Sequence, residues 1–480
     1  MSEVFILYMY RMFWALFLGA LLAMGFRRSW NAEHGKMTSW MEDREHAVVW
    51  LDPIVFPVMI IFFAAINLWV YGSDDGVEYG LCLLIDIFVF VSVYFTGLMF
   101  LLPMLRRRYT ARTCAVLWLV PVFLFYQPHM LYLMRSEPPL VVLYLPGILL
   151  RVLLAVWAAG FLVLFGTKIG SHIWFSRRLR QHSRPILAPE LLEIWEKVRR
   201  DLDMHIPVDL RYCSLIRTPL TIGMRKKSKV TYLPERAYGA EEAELIFSHE
   251  LHHVQRRDTH TKCFLEFCKA LGWIHPLVWL AARRAQDDLE LSCDEIVLEK
   301  ADAVTRRKYA ELLLSTAGDG RGFTTCLSAS ARTLRYRMRA TVSGGKKKLG
   351  VVMLFTVMAL SVLGMGKISV STDRTSLAEL IQLSEDSLSE VYLTKDGEEI
   401  QISDLEGLAG YLSSLQAERL IYTYTLLSEP EGDVLEGLTS SDATFRMSGS
   451  YVEIWFPEKR NPVLCRMKEP VDWQKIQAFE

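Results

Sequence analysis

The segment IFSHELHHVQRRDTH, residues 246–260, places His249, Glu250 and His253 within five positions. On an α-helix His249 and His253 lie one turn apart on one face, so both imidazoles can reach a single metal ion at about 2.0–2.1 Å. Glu250, beside the first of them, can take a proton from water held there, which is the chemistry of a hydrolytic centre with Zn2+ as cofactor. His252 points away by about 100° and is not a ligand candidate. Ile246, Phe247 and Leu251 flank the motif, as on a buried helix rather than a solvated polar face.

A catalytic zinc ion needs a third protein ligand and one open position. The segment AQDDLELSCDEIVLEK, residues 285–300, offers Asp287, Asp288, Glu290, Asp294 and Glu295 on a helix expected to begin after Pro276. Glu290 and Asp294 are four apart, hence on one face. One can bind the ion while the other holds a histidine N–H, and spacing alone leaves open which does which. Cys293, in the same segment, reads as packing. Tyr309 and His260 are candidates for stabilising an oxyanion.

Several elements must position these groups. GAEEAELIFSHELHHVQRRDTH reads as one helix, with Glu241, Glu242 and Glu244 near its positive end and Arg256–Arg257 in its last turn. PELLEIWEKVRRDLDM carries Leu191, Leu192, Ile194, Trp195 and Val198 on one helical face. VDLRYCS and KVTYLP, around TPLTIGMRKKS, read as strands of a small sheet with an edge near the histidine-bearing helix.

The rest of the chain reads as a membrane protein. Its 480 residues are 51% apolar and 12% aromatic, which excludes a disordered chain. Five apolar runs, near 4–26, 48–71, 79–104, 113–134 and 140–167, are long enough to cross about 30 Å of hydrocarbon, and a sixth lies at 349–366. The N-terminal run lacks a basic leader and a small-residue cleavage site, and reads as an uncleaved anchor. Arg27–Arg28, Arg106–Arg108 with Arg112, Lys168 with Arg177, Arg178 and Arg180, and Lys346–Lys348 all fall on one side of the alternating spans. The excess of lysine and arginine marks that side as cytoplasmic. The expected organisation is 1–168 with about five spans, a cytoplasmic domain and linker over 169–347, a final span over 348–366, and 367–480 outside with the N-terminus. Arg11, Asp86 and Arg151 fall inside apolar runs, where an ionisable group needs a partner or a path to the interface.

Residues 371–480 hold 21 Asp and Glu against 9 Lys and Arg, a net charge of −12 in a chain that is neutral overall. EVYLTKDGEEIQI reads as a hairpin about Asp396–Gly397. SDLEGLAGYLSSL reads as a helix capped by Ser403 and Glu406. RLIYTYTLL, ATFRMSG and SYVEIWF read as strands, so a small α+β domain is expected. None of the eight cysteines forms a CxxC pair or a regular spacing, so neither a disulfide framework nor a zinc knuckle is expected.

HELHHVQRRD, GWIHPLVWLAARRAQDDLELSCDEIVL and RKYAELLL, behind several spans and before another, resemble the BlaR/MecR-like integral-membrane zinc peptidases, an antirepressor and signal-transducer family. The resemblance covers about residues 1–366 and is strongest over 215–315. It implies a polytopic α-helical membrane protein with a mostly α, gluzincin-like cytoplasmic metallopeptidase domain and an α+β extracytoplasmic C-terminal domain. It also implies that the E-x-x-C-D element supplies the third ligand as Glu290, with Asp294 as the supporting acid, and that TPLTIG and VTYLP form a substrate-side hairpin. Well-known members carry a penicillin-binding sensor with S-x-x-K and K-T-G motifs; residues 367–480 contain neither, and β-lactam sensing is not expected.

The expected function is a plasma-membrane zinc endopeptidase that relays an extracytoplasmic signal by cutting a cytoplasmic regulator, such as a transcriptional repressor, or its own linker at 318–348. That basic linker can also be drawn to anionic lipid headgroups. The other partners expected are membrane lipid and an extracytoplasmic ligand, with a homodimer left open and no direct nucleic-acid binding. The alternatives are a non-enzymatic receptor with a structural HExxH helix and an HtpX-like quality-control protease.

Overall fold

The computed structural model describes residues 3–34, 55–121, 141–225, 228–315, 325–326, 337–338, 347–364, 368–383, 388–395, 398–421, 432–440, 442–459 and 462–480. Four long or apolar helices lead: α1 (Glu3–Glu33), α2 (Val55–Arg108), the short α3 (Ala111–Leu117), then strand β1 (Val141–Tyr144) and α4 (Gly147–Gln181). By length and composition, Tyr8–Glu33, Phe88–Arg108 and Gly147–Gln181 can cross a membrane. The span expected at 79–104 and the part of the one at 48–71 from Val55 onward fall on the single helix α2, and the acidic segment 72–78 between them lies inside it; residues 48–54 lie outside the described residues. No proline lies between Pro57 and Pro103. Glycines weaken a helix by about 1 kcal/mol each without stopping it, so nothing in this run compels a break. Most of the expected fourth span, 113–134, lies outside the described residues.

The peptidase-like part follows. It runs β2 (Ser183–Pro185), α5 (Pro189–Asp201), β3 (Asp209–Cys213), β4 (Leu220–Ile222), β5 (Val230–Leu233), α6 (Ala240–Gln255), α7 (Asp258–Leu271), α8 (Pro276–Val297) and α9 (Ala303–Ser315). A two-residue strand β6 (Thr325–Cys326) completes a sheet of order β2-β3-β5-β4-β6. The two expected strands are β3 and β5, and β4 falls on TPLTIG, which pairs antiparallel with β5 as the resemblance implied. The helix expected over 239–260 is two helices, because Arg257 adopts φ 54°, ψ 39° and turns the chain between α6 and α7. Leu191, Trp195 and Val198 of α5 are buried as expected, whereas Leu192 faces out.

Beyond α10 (Val351–Gly364), the tail builds β7 (Ile368–Ser376), β8 (Leu388–Lys395), β9 (Glu398–Gln401), β10 (Gln416–Ile421), β11 (Val434–Thr439), β12 (Thr444–Ser448), β13 (Tyr451–Trp455) and β14 (Val463–Met467). Together with β1 these eight form a nine-stranded sheet of order β1-β7-β10-β14-β13-β12-β11-β8-β9. The expected hairpin is β8–β9, paired antiparallel. The helix Leu405–Ser414 is capped by Asp404, whose carboxylate accepts the Gly407 N–H at 2.9 Å, and not by Ser403. Strands β7, β11 and β14 were not foreseen, and β1 takes four residues from the start of the expected fifth span into parallel pairing with β7.

These parts are tied at opposite ends of α4. Leu150, near its start, packs with Val370 and Ile421 of the tail sheet. Leu179, near its end, packs with Cys213 and Tyr232 of the five-stranded sheet. Twenty-nine residues of helix separate them by about 43 Å, more than the hydrocarbon thickness of about 30 Å. Helix α10 has 14 residues, about 21 Å, and lies along α1. There Gly19 permits close approach, since a Cβ on it would sit 3.0 Å from the Phe355 carbonyl oxygen.

The boundary between membrane helices and peptidase expected at residue 169 does not exist in the packing. One hydrophobic core joins Phe26, Phe95, Trp118 and Met358 to Phe264, Leu271 and Val278 from α7 and α8. The turn between α7 and α8 presses Trp273 onto α4 at Gly160, where a Cβ would meet the indole at 2.4 Å. Trp157 Nε1 donates to the Leu271 carbonyl at 2.8 Å, and Trp273 Nε1 donates to the Trp157 carbonyl at 3.1 Å. The expected peptidase domain is thus wedged among the apolar helices rather than suspended beneath them.

Polar ties reinforce the wedge. Arg106, at the end of α2, donates from Nε to Asp288 Oδ1 at 2.8 Å, and Trp118 Nε1 donates to Asp288 Oδ2 at 2.9 Å. Breaking a buried pair by removing one member costs about 3–5 kcal/mol, while replacing both by apolar residues is often neutral. Arg106→Met is therefore expected to lower the melting temperature of the full chain in detergent by several degrees, and adding Asp288→Leu is expected to recover most of it. Equal melting of wild type and Arg106→Met would show that the pair does not hold the wedge.

Candidate metal centre and active site

Helix α6 supplies two imidazoles and α8 one carboxylate to a single buried point. His249 Nε2 and His253 Nε2 are 3.1 Å apart. Glu290 Oε2 lies 3.5 Å from the first and 3.6 Å from the second. Three donors placed about 2.1 Å from an ion at tetrahedral angles sit about 3.4 Å apart, so the three atoms form one face of such a shell. Glu290 Oε2 is buried and accepts no hydrogen bond from the described residues, with only the longer 3.4 Å approach of Arg337 Nη1 beside it, which leaves a lone pair for a cation. The donor set of two imidazoles and a carboxylate suits a divalent transition metal.

The electrostatics agree with a cation at this point. Burial alone would raise the Glu290 carboxyl, but Lys262 and the two histidines outweigh it and hold the group well below the usual carboxylate range. Burial alone would lower both histidines, yet Cys293 as a thiolate and the Glu290 carboxylate raise His249 to about 9 and lift His253 well above its ordinary value. Negative charge faces the ring nitrogens, and a dication satisfies it without protonating them.

Each donor is held from behind. His253 Nδ1 meets Asp258 Oδ2 at 2.6 Å. This contact exists because Arg257 turns the chain and brings the first residue of α7 back to α6. Lys262, one turn beyond Asp258, donates to Glu290 Oε1 at 2.8 Å. The Tyr309 hydroxyl bridges His249 Nδ1, at 2.9 Å, and Asp294 Oδ1, at 2.6 Å. Tyr309 thus stands behind His249 instead of facing a substrate oxygen, and His260 is turned to the Met224 carbonyl at 2.7 Å. Asp294 Oδ1 is 3.4 Å from His249 Nδ1, so it supports the ring mainly through Tyr309. His252 donates from Nδ1 to the Ser248 carbonyl at 2.7 Å and stands apart from the group.

Glu250 is fully buried, and its Oε2 accepts a hydrogen bond from Thr221 Oγ1 at 2.8 Å; Thr221 in turn meets Thr231 Oγ1 at 2.8 Å. The paired strands β4 and β5 thereby fix the orientation of the carboxylate next to the two histidines. Two further groups reach the centre. Arg337 donates from Nε and Nη2 to the two oxygens of Asp294, both at 2.6 Å, with Nη1 3.4 Å from Glu290 Oε2. Cys293, expected only to pack, has its sulfur within 4.8 Å of a ring nitrogen of each histidine, which makes it the competitor of Glu290 for the third ligand position. Burial would push this thiol up, but His253 and His249 bring it down to about 6. Its Sγ also lies 3.3 Å from the His249 carbonyl, to which the group can donate only in its protonated form.

Asp258, Lys262, Thr221 and Arg337 were not singled out from the sequence. Asp258 and Lys262 carried a usable signal, being four apart on one helical face directly after the motif. Loss of such a partner behind a metal-binding histidine typically costs about 10–100-fold in metal affinity. Asp258→Asn is expected to weaken metal binding by that amount in chelator competition, and unchanged affinity would remove Asp258 from the site.

Comparison with known proteins bears on the same segment. Residues 145–339 match the sequence model of the family described as BlaR1 peptidase M56. The chain is 27% identical over 183 residues to the regulatory protein BlaR1 of Bacillus licheniformis, a match covering 38% of this chain and 30% of that protein. The chain thus matches about 30% of the length of this curated relative. His249, Glu250, His253, Glu290 and Asp294 all lie inside the matched family segment. Residues 145–339 are thus similar to the M56 peptidase segment of BlaR/MecR-like proteins, and the site geometry falls within that segment.

Proposed function

We propose that the chain is a membrane-anchored zinc endopeptidase of gluzincin type that relays an extracytoplasmic signal by cutting a cytoplasmic regulator, its own linker, or both. The observation that carries this reading is the convergence of His249 Nε2, His253 Nε2 and Glu290 Oε2 at the spacing of a tetrahedral face beside Glu250. A zinc ion bound there supplies Lewis acidity, polarising a carbonyl and lowering the pKa of water toward about 7. Glu250, oriented by Thr221, takes the proton of the attacking water and returns it to the leaving amine.

The sheet edge supports a peptide substrate. Residues Thr325–Cys326 pair antiparallel with β4, with Thr221 opposite Thr325, and Thr221 is the residue that orients Glu250. Laying an extended peptide along an exposed strand is a general mode of peptide capture. The segment on this edge, and Arg337 beyond it, belong to the linker at 318–348, which favours self-cleavage there. The remainder of that linker lies outside the described residues.

Control from the membrane has a physical route. Ser29 and Glu33 of α1 hold Arg112, whose Nη2 donates to Ser29 Oγ at 2.7 Å. Glu33 Oε1 is 3.7 Å from Arg256 Nε, which is 3.8 Å from Asp258 Oδ1, the carboxylate group behind His253. Movement of α1 therefore alters the charge environment of a metal ligand. Attachment of the tail and the peptidase to opposite ends of α4 favours an exterior tail and a cytoplasmic peptidase at the plasma membrane.

Processing of the full chain in cells, read with its zinc content after purification, tests this function. Glu250→Gln is expected to keep about one zinc ion per chain while processing falls by about 100-fold or more, and Glu290→Gln to lose zinc. Undiminished processing in Glu250→Gln would refute the peptidase reading.

A further inference from the structure

At the other end of α4 a cavity of about 750 Å³ opens between the helix start and the tail sheet. Arg374, Arg419 and Lys459 line it from the tail, and Arg151 lines it from α4. The tail carries a net charge of −12, yet three of its nine lysines and arginines meet at this one cavity. Among the described lining residues two carboxylates, Asp373 and Glu379, stand beside them, and Glu418 pairs with Arg374 from outside the lining. Glu379 is already engaged by the Thr375 hydroxyl. Asp373 Oδ1 lies near the first residue of α4, 3.9 Å from where a Cβ on Gly147 would sit.

The cations are arranged rather than scattered. The Arg374 guanidinium lies over the Tyr144 ring at 3.5 Å from its centroid and is 3.2 Å from Glu418 Oε2. Arg151 is the fifth residue of α4, near the positive end of the helix dipole, where a cation is disfavoured unless an anion offsets it. Among the described residues Arg151 has no ion-pair partner. Immediately along the same helix Ile148 is 82% exposed and Val152 53% exposed, within the stretch long and apolar enough to cross a membrane. A positive cavity thus sits directly above an apolar helix face.

We propose that this cavity binds a phosphate group, carried by the headgroup of an anionic phospholipid whose acyl chains lie along α4. The phosphate meets Arg151 and Lys459 across the junction between helix and tail, so occupancy bears on how the tail is seated on the helix that leads to the peptidase.

Thermal unfolding of the full chain in detergent tests this with three probes: phosphatidylglycerol, phosphatidylcholine of the same acyl chains, and inorganic phosphate. Phosphatidylglycerol is expected to raise the midpoint at lower concentration than phosphatidylcholine. Arg151→Gln with Lys459→Gln is expected to weaken that response by about tenfold or more, the size of two lost cation–headgroup attractions. Arg200→Gln with Lys468→Gln removes the same charge away from the cavity and is expected to leave the response intact. Equal responses to the two lipids, or equal loss in both double variants, would overturn the proposal. Inorganic phosphate matching phosphatidylglycerol, with loss in the Arg151 and Lys459 pair, would overturn its lipid source.

Discussion

Helix α8 buries three carboxylates, and the cost of burying them organises the surrounding structure. An ionised carboxylate removed from water loses several kcal/mol unless a cation and hydrogen bonds replace its hydration. Asp288 is met by Arg106 and Trp118 from the membrane helices, Glu290 by Lys262 from α7, and Asp294 by Arg337 from the linker and Tyr309 from α9. Each partner comes from a different element. The requirement to pair these groups therefore brings the end of α2, the turn after the histidine helix and the linker together on one helix.

The same constraint couples the site to the membrane. Two faces of α8 are acidic: Glu290 and Asp294 face the histidines, whereas Asp288 and Glu295 face the helix ends, with Glu295 accepting the Ala111 N–H at 2.8 Å and meeting Lys347 at 2.9 Å. A shift of α2 or of the segment leading into α10 acts on the helix that carries Glu290. A shift of α1 acts through Glu33 and Arg256 on the carboxylate behind His253. Under the proposed function, a signal reaching the apolar helices has two routes to the metal donors and needs no hinge between separate domains.

What could be read from the sequence follows from how local each interaction is. The face shared by His249 and His253 is fixed by helical periodicity, and the Glu290–Asp294 pair by the same rule. The hairpin at 388–401 was legible because a turn signal sits between two alternating runs. Groups recruited across the fold were not. Thr221, Arg337 and Arg106 lie 29, 43 and 182 residues from the carboxylates they meet, and no local pattern marks them. The division of the histidine helix depended on one left-handed residue, Arg257, of a type that rarely adopts that conformation. Strand β1 was absorbed into an apolar run because Val141–Tyr144 suits a buried helix and a sheet edge equally, and only pairing with β7 decides between them.

The identity of the third metal ligand is the point on which the account stands most directly. X-ray absorption at the zinc edge of the loaded full chain reads the neighbouring atoms. Nitrogen and oxygen neighbours alone, at about 2.0–2.1 Å, are expected if His249, His253 and Glu290 hold the ion. A sulfur neighbour at about 2.3 Å would assign Cys293 to the ion and contradict the account.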